Sequence, residues 1–345
     1  MNKVLVGISG GVDSSVAALL LKKQGYEVIG ITFVFTDDFD TKDAIEVCKK
    51  IGIKHYIEDY RCVFKSTIID TFINDYNNGL TPNPCVLCNK EVKFNFLYQN
   101  MIKYDCNFIA TGHYAKIIDN KLYKSSDLNK DQTYFLASLT KEQLNKLILP
   151  LEGITKDVVR NIAKENGLIN ALKKDSTDVC FIDNNFKDYI SKKSINRQGN
   201  VVNIENNEII GKHNGLNKYT IGQRKGLNIG GTKDRLFVVG KDINKNILYV
   251  SVGDTDYLYS DSCLVVKVNW ISDIKYSECT AKFRYRQTEN NVSLEFVDDK
   301  IIVKYNEKVK SVTPGQVCVF YKDNECLGGG IIKEVYKNNE KIWYL

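Results

Sequence analysis

The stretch from residue 3 to residue 35 constrains this chain more than any other. Residues 3–8 (KVLVGI) are a short apolar run of the kind that fills a buried strand. Residues 12–24 have helical amphipathic spacing and stop at Gly25. Residues 26–35 (YEVIGITFVF) form a second strand-like run. Strand, helix and strand in that order predict two parallel strands joined by a crossover helix. The alternation continues with a helix over 41–51, a strand near 55–58, a helix over 62–76, a turn at 79–85 and a helix over 88–102. Residues 107–118 read as a strand and the start of a hairpin, and Thr140 with Gln143 has the spacing of a capping box opening a helix over 141–148. The predicted fold class is α/β, a doubly wound parallel sheet with helices on both faces.

Past about residue 195 glycine and asparagine become frequent and helical spacing fades. From 262 onward strand follows strand: 263–270, 279–287, 292–297, 301–305, 317–321 and 329–336, the pattern of a small β-barrel. With 345 residues the chain exceeds one ordinary core. The expected division is an α/β catalytic domain over 1–195, a small central domain over 196–260 and a C-terminal β-barrel over 261–345.

The joint between the first strand and the first helix, residues 9–15 (SGGVDSS), is where doubly wound folds bind ligands. Gly10 and Gly11 let backbone approach an anion, the helix N-terminus attracts it, and Ser9, Ser14 and Ser15 add hydroxyls. The loop lacks the Gly-Lys-Ser/Thr ending of the kinase and GTPase phosphate loop, and it is not a GxGxxG turn. A strand, SGGxDS and a helix resemble the PP-loop of ATP pyrophosphatases, which hold the β,γ-pyrophosphate and release it after adenylating a substrate.

Ten cysteines with no visible secretory signal fit free thiols in a reducing cytoplasm. Two places stand out. Residues 81–89 (TPNPCVLCN) put Cys85 and Cys88 next to a helix start, where the dipole favours a thiolate, and residues 175–182 (DSTDVCFI) put Cys180 in a polar loop. Such cysteines serve as metal ligands, a redox pair or a catalytic thiol. Burial is the expected state of Cys48, Cys62, Cys106, Cys263, Cys279, Cys318 and Cys326.

The motifs SGGVDSS, TPNPCVLCN, TGHYA (111–115), KDQTYFL (130–136), DSTDVCFI, YTIGQRKGL (219–227), RYRQ (284–287) and TPGQ (313–316) occur in this order. Together they resemble the bacterial tRNA-specific 2-thiouridylases, which put sulfur on the wobble uridine at position 34. The resemblance spans nearly the whole chain. It implies a PP-loop, adenine-nucleotide-hydrolase-like domain, a central domain and a barrel. It implies that Gly7, Ile8, Ser9, Gly10, Gly11, Val12, Asp13 and Ser14 hold ATP with help from Phe33 and Gly112. It makes Cys88 the nucleophile and Cys180 the persulfide carrier. It sets Asn83, Pro84 and Cys85 against the target base, and gives tRNA contacts to His113, Lys130, Asp131, Gln132, Arg284, Tyr285 and Gln316. Two positions depart from the family pattern: Cys85 stands where Asp is common, and Phe33 where Met is common.

The chemistry demands such parts. The C2 oxygen of uracil is a poor leaving group until AMP is placed on it. Sulfur must then arrive as a nucleophile, from a persulfide on Cys180 attacking directly or as hydrosulfide released when Cys88 attacks that persulfide. Mg2+ is expected on the ATP phosphates. Two rivals remain: another PP-loop enzyme adenylating a small acid or amide, and an iron–sulfur cluster held by Cys85, Cys88 and Cys180. The partners implied are tRNA and a persulfide sulfur donor.

Charge bears on the RNA. The net charge is +6, and eight basic residues (Arg197, Lys212, Lys218, Arg224, Lys225, Lys233, Arg235, Lys241) face three acids (Glu205, Glu208, Asp234) between residues 196 and 241. A local basic surface attracts nucleic acid. Along Arg284-Tyr285-Arg286, strand alternation would turn the two arginines one way and the tyrosine the other. The longest aliphatic run, Val16 to Leu21, is far too short to span a bilayer.

Overall fold

The computed structural model describes residues 2–174, 179–182, 186–194, 196–227, 229 and 235–345. Among these, the first half builds a parallel sheet from β1 (Lys3–Gly7), β2 (Glu27–Val34), β3 (Lys54–Asp59), β4 (Phe108–Ala110) and β5 (Leu147–Ile148), in the order β3-β2-β1-β4-β5. Alternate residues of β1 point to opposite faces. Val4 and Val6 join a core with helix α1 (Val12–Lys23) and helix α2 (Lys42–Ile51), while Leu5 packs with Phe94, Leu97 and Met101 of the helix Phe94–Lys103. Both faces are thus covered, which explains the uninterrupted apolar run at 3–8. Strand order reverses between β1 and β4, so their C-terminal ends open a crevice.

The capping box forms: Thr140 Oγ1 accepts from the Gln143 amide at 3.1 Å, and Gln143 Oε1 accepts from the Thr140 amide at 3.0 Å. The helix it opens ends at Lys146 rather than 148, because Leu147 and Ile148 pair with β4. Tertiary pairing outweighs helical spacing there.

The glycine-rich stretch forms a four-stranded sheet from Gln198–Asn203, Ile209–Asn214, Leu236–Asp242 and Ile247–Val252. The remaining strands close into a six-stranded barrel: Tyr259–Trp270 pairs with both Lys300–Lys310 and Glu325–Lys337, and Asn290–Val297, Glu278–Lys282 and Val317–Lys322 complete the ring. The strand expected over 279–287 stops at Lys282. There Gln287 folds back, its Oε1 accepting from the Phe283 amide at 3.0 Å, so the alternation argued for Arg284-Tyr285-Arg286 does not apply.

The barrel is not separate from the α/β half. A hairpin of Lys116–Ile118 and Lys121–Tyr123 adds to the barrel sheet, with Leu122 opposite Cys326 and Tyr123 opposite Glu325. One core contains Leu122, Tyr134 and Leu136 together with Ile271, Val317, Val319 and Tyr321, and Tyr134 donates to the Val317 carbonyl at 2.8 Å.

Lys241 corrects the charge map. It is buried, donating to the Gly79 carbonyl at 3.3 Å beside the Tyr76 ring, and burial pushes it down to about 7. It is therefore not part of the basic surface. A lysine lowered this way is still protonated in the unfolded chain between about pH 7 and pH 10 but neutral in the fold, so stability rises with pH across that window. Below pH 7 both states carry the charge and the full burial penalty applies. Lys241→Met is expected to stabilise the protein by about 2–3 kcal/mol near pH 6.5. The advantage should shrink steadily toward pH 10, as read by thermal midpoints of both proteins at matched pH. A constant advantage would mean that folding leaves the titration of Lys241 where it is in the unfolded chain.

Candidate active site

A cavity of about 310 Å3 opens at the C-terminal ends of β1 and β4. Its floor is the loop after β1. Ser14 Oγ accepts from the Ser9 amide at 3.2 Å and donates to the Gly11 carbonyl at 3.1 Å, and Ser15 Oγ donates to the same carbonyl at 2.8 Å. Gly10 turns the chain at φ +75°. Gly7, Ile8, Ser9, Asp13, Ser14, Phe33 and Gly112 line the cavity. Gly10, Gly11 and Val12 do not: the glycines shape the turn, and Val12 belongs to the core under the sheet. Ile31, Phe33, Phe35, Phe39 and Leu97 give one wall an apolar, partly aromatic surface suited to a planar base.

The loop is held from afar. Lys156 Nζ reaches both Asp13 oxygens, at 2.7 and 2.8 Å, and the Tyr114 hydroxyl donates to Asp13 Oδ1 at 2.7 Å. Asn170 Nδ2 donates to the Gly10 carbonyl at 3.0 Å and to Ser15 Oγ at 2.9 Å. Sequence reasoning missed Lys156, Tyr114 and Asn170 in this role, and no local signal marks them, since each lies about 100 residues or more from its partner.

The thiols approach from another side. Pro84–Cys88 starts a helix capped by Asn83, whose Oδ1 accepts from the Val86 amide at 3.2 Å. A π-helical segment, Asn89–Lys93, continues it. Cys88 is buried, and burial pushes its thiol up to about 11, with the charge and the amide of Lys93 acting the other way. Burial likewise raises Cys85, against Lys93. The helix-dipole activation expected from sequence is therefore outweighed by desolvation, because Cys88 lies past the first turn where the dipole acts. Cys180 is exposed and lines the cavity. Residues 175–178, the start of its motif, lie outside the described residues, as do Lys233 and Asp234. All ten cysteines are free. Cys62 is exposed and Cys106 half-buried, which corrects the expectation of burial for both; Cys48, Cys263, Cys279, Cys318 and Cys326 are buried.

His113 also lines the cavity, its Nδ1 2.8 Å from Thr111 Oγ1 and its ring against Phe94. Burial first and the Lys93 charge second push it down to about 3, so it is a neutral imidazole across the working range. Gln132 faces the cavity and accepts from the Tyr114 amide at 2.9 Å.

Other residues assigned to tRNA have internal bonds. Both Asp131 oxygens are taken, by the Ser125 amide at 3.0 Å and Thr133 Oγ1 at 2.7 Å. Its neighbour Lys130 is half-buried. Arg284 Nη2 donates to the Ile221 carbonyl at 3.0 Å and to Thr313 Oγ1 at 2.6 Å, tying the central sheet to the barrel. Tyr285 packs on Phe135 with centroids 4.3 Å apart. Gln316 Nε2 donates to the Thr81 carbonyl at 2.7 Å, and the Thr81 amide donates to the Pro314 carbonyl at 3.0 Å, so the barrel grips the loop before Asn83. In the basic segment Arg197, Lys212, Arg224, Lys225 and Arg235 are exposed.

Among the described residues no group of three His, Cys, Asp or Glu side chains gathers closely enough to hold a metal ion.

Three family models match in succession: a tRNA methyl transferase HUP domain over 2–184, a tRNA methyl transferase PRC-barrel domain over 187–252 and an aminomethyltransferase beta-barrel domain over 260–332. The tRNA-specific 2-thiouridylase MnmA of Bacillus cytotoxicus is 46% identical, with 99% of this chain and 98% of that one covered. This chain belongs to the tRNA-specific 2-thiouridylase family. The family protein of Geobacillus thermodenitrificans is equally close, at 46% identity with 99% and 98% covered. A solved 4-thiouridine synthetase–RNA complex with bound ATP shares 17% identity over 52% of this chain and 44% of that one, with a TM-score of 0.39. The family places the chain among tRNA sulfurtransferase enzymes with a nucleotide-binding HUP domain.

Proposed function

We propose that this chain adenylates the C2 oxygen of the wobble uridine 34 of tRNA with ATP and replaces that oxygen with sulfur carried on Cys180. The observation that carries the proposal is that the SGGVDSS loop and Cys180 line one cavity, with the helix bearing Cys85 and Cys88 close enough for the sulfur charges to influence one another. An enzyme that only adenylated a small acid would have no use for a sulfur at the phosphate loop.

In this reading the backbone of Ser9 to Ser14 holds the ATP phosphates, and the apolar wall at Phe33 takes the adenine. Among the described residues lining the cavity the one carboxylate, Asp13, is already held by Lys156 and Tyr114, so Mg2+ would arrive on the ATP phosphates. When bound, that ion would neutralise phosphate charge. Asn83, Pro84 and Cys85 form the surface against the target base. Neutral His113 presents a hydrogen-bonding ring nitrogen without adding a charge.

The bonds balance on either sulfur route. The C2–O bond breaks and its oxygen leaves on AMP. The terminal sulfur of the Cys180 persulfide becomes bonded to C2. Cys88, as thiolate, forms a disulfide with the Cys180 sulfur and takes the place of the sulfur that departs. An external dithiol reduces that disulfide before the next turnover, and a persulfide donor reloads Cys180.

The decisive experiment supplies ATP, a persulfide donor and unmodified tRNA, then analyses the nucleosides by mass spectrometry. Sulfur at C2 of uridine 34, formed with one AMP per sulfur, is the expected result. ATP consumption with no thiolated nucleoside would overturn the proposal.

The exposed basic residues of the central sheet are the expected phosphate partners, while Arg284 and Gln316 are assigned to holding the domains and the Asn83 loop in register. Arg224→Ala with Lys225→Ala should weaken tRNA binding and reduce the slope of log affinity against log salt by a little under ~1 for each phosphate no longer neutralised. An unchanged slope would return both residues to ordinary solvated charge.

A further inference from the structure

Lys93 carries a charge that the chemistry so far does not use. It lines the cavity, and among the described residues no carboxylate pairs with its ammonium. The groups whose negative charge acts on it are sulfurs: Cys88, then Cys180, then Cys85. Its backbone contributes as well, since the Lys93 amide faces the Cys88 sulfur.

The helix is deformed in a way that produces this arrangement. In an unbroken α-helix a residue five positions after Cys88 would be swung roughly 140° around the axis from it. The π-helical segment Asn89–Lys93 inserts a wider turn between the two, which brings position i+5 back toward position i. Such turns cost helix stability and recur at functional sites. Here it returns Lys93 toward the face of the helix that carries Cys88, whose thiol burial alone would leave inert.

We propose that Lys93 is the positioning residue of the sulfur chemistry, its ammonium serving as countercharge to whichever of Cys180 and Cys88 is anionic at each step. The proposal rests on the sulfur-transfer reading of the site. It gives the buried cavity a way to hold a persulfide anion before transfer and a thiolate after it. Burial first, and the same charge second, keep His113 neutral, so that the imidazole does not compete as a second cation. The charged and titratable groups facing Lys93 are Cys85 and Cys88 from its own helix, His113 from the loop after β4, Cys180, and across the cavity Asp13, whose charge is already taken by Lys156.

The test reads the thiol directly. The full-length protein and its K93M, K93Q and K93R variants are treated with iodoacetamide at pH 8.5, and the alkylation rate of each cysteine is followed by peptide mass spectrometry. Exposed Cys62 serves as internal reference, and ATP binding reports the integrity of the phosphate loop. Well below the thiol's midpoint, the rate follows the thiolate fraction. K93M and K93Q are expected to slow Cys88 alkylation at least tenfold relative to Cys62, and K93R to stay within threefold of wild type. A Cys88 rate unchanged in either neutral variant, or K93R slowed as far as K93M, would overturn the proposal. Thiolation abolished while the Cys88 rate is unchanged would likewise remove Lys93 from this role. A slowed Cys88 in an enzyme whose wild type makes no 2-thiouridine would support the countercharge and overturn the sulfur-transfer reading instead.

Discussion

Cys180→Ala is expected to bring 2-thiouridine formation below about one-hundredth of wild type, and Cys88→Ala to do the same. The two losses have different causes. Without Cys180 no sulfur is carried to the cavity that it lines. Without Cys88 no thiol completes the S–S exchange, and sulfur stays on the carrier. Neither change touches the SGGVDSS loop proposed to hold ATP, so ATP binding should survive in both. Cys85 lies on the same short helix, yet the proposed bond changes never involve it. Cys85→Ala, and Cys85→Asp with the residue common in the family, should therefore retain measurable thiolation. Product per enzyme and iron content are measured on the same samples. Activity that vanishes in Cys85→Ala and follows iron in the wild type would install a cluster in place of the persulfide.

Gly112→Ala is expected to cut ATP consumption about a hundredfold while leaving tRNA binding nearly unchanged. A Cβ at Gly112 would stand 2.5 Å from the Asp13 carbonyl carbon and 2.6 Å from the Ser14 amide nitrogen. Those are backbone atoms at the first turn of α1, with no flexible end to bend aside. Either β4 or the phosphate loop must shift by the better part of an ångström, and a displacement of about 1 Å in a catalytic constellation costs on the order of a hundredfold. Gly7→Ala is the control. A Cβ there meets nothing nearer than 3.9 Å, so its effect should be small although Gly7 lines the same cavity. Pyrophosphate release with tRNA present measures both. Equal losses in the two variants would mean that cavity volume, and not the loop's position, is what Gly112 protects.

Sequence made the parallel sheet and the phosphate loop legible because both are local. The apolar run at 3–8, the helix stop at Gly25 and the SGGVDSS joint lie within two dozen residues, and their meaning does not depend on the rest of the chain. The barrel was legible as a string of strands, but its closure through Tyr259–Trp270 pairing on both edges was not. What the sequence left out shares a cause. Arg284 and Asp131 read as groups for RNA because they are charged, and only the fold brings near the internal hydrogen-bond partners that each also has. Lys241 reads as one more basic residue in a basic stretch, and nothing local announces that Gly79 and Tyr76 will enclose it. Lys156 and Asn170 support the phosphate loop across 143 to 160 positions. Cys88 taught the opposite lesson: the dipole argument was sound as far as it went, and burial was larger.

The hairpin at 116–123 has a bearing on how such a protein can change over evolutionary time. Because its edge is paired to the barrel strand opposite Cys326 and Glu325, and Leu122 sits in the same core as Val319 and Tyr321, the catalytic half never acquired a surface of its own on that side. A gene ending near residue 260 would leave an unpaired edge and a wall of buried side chains facing water. Removing the barrel would therefore strip the α/β half of part of its own core.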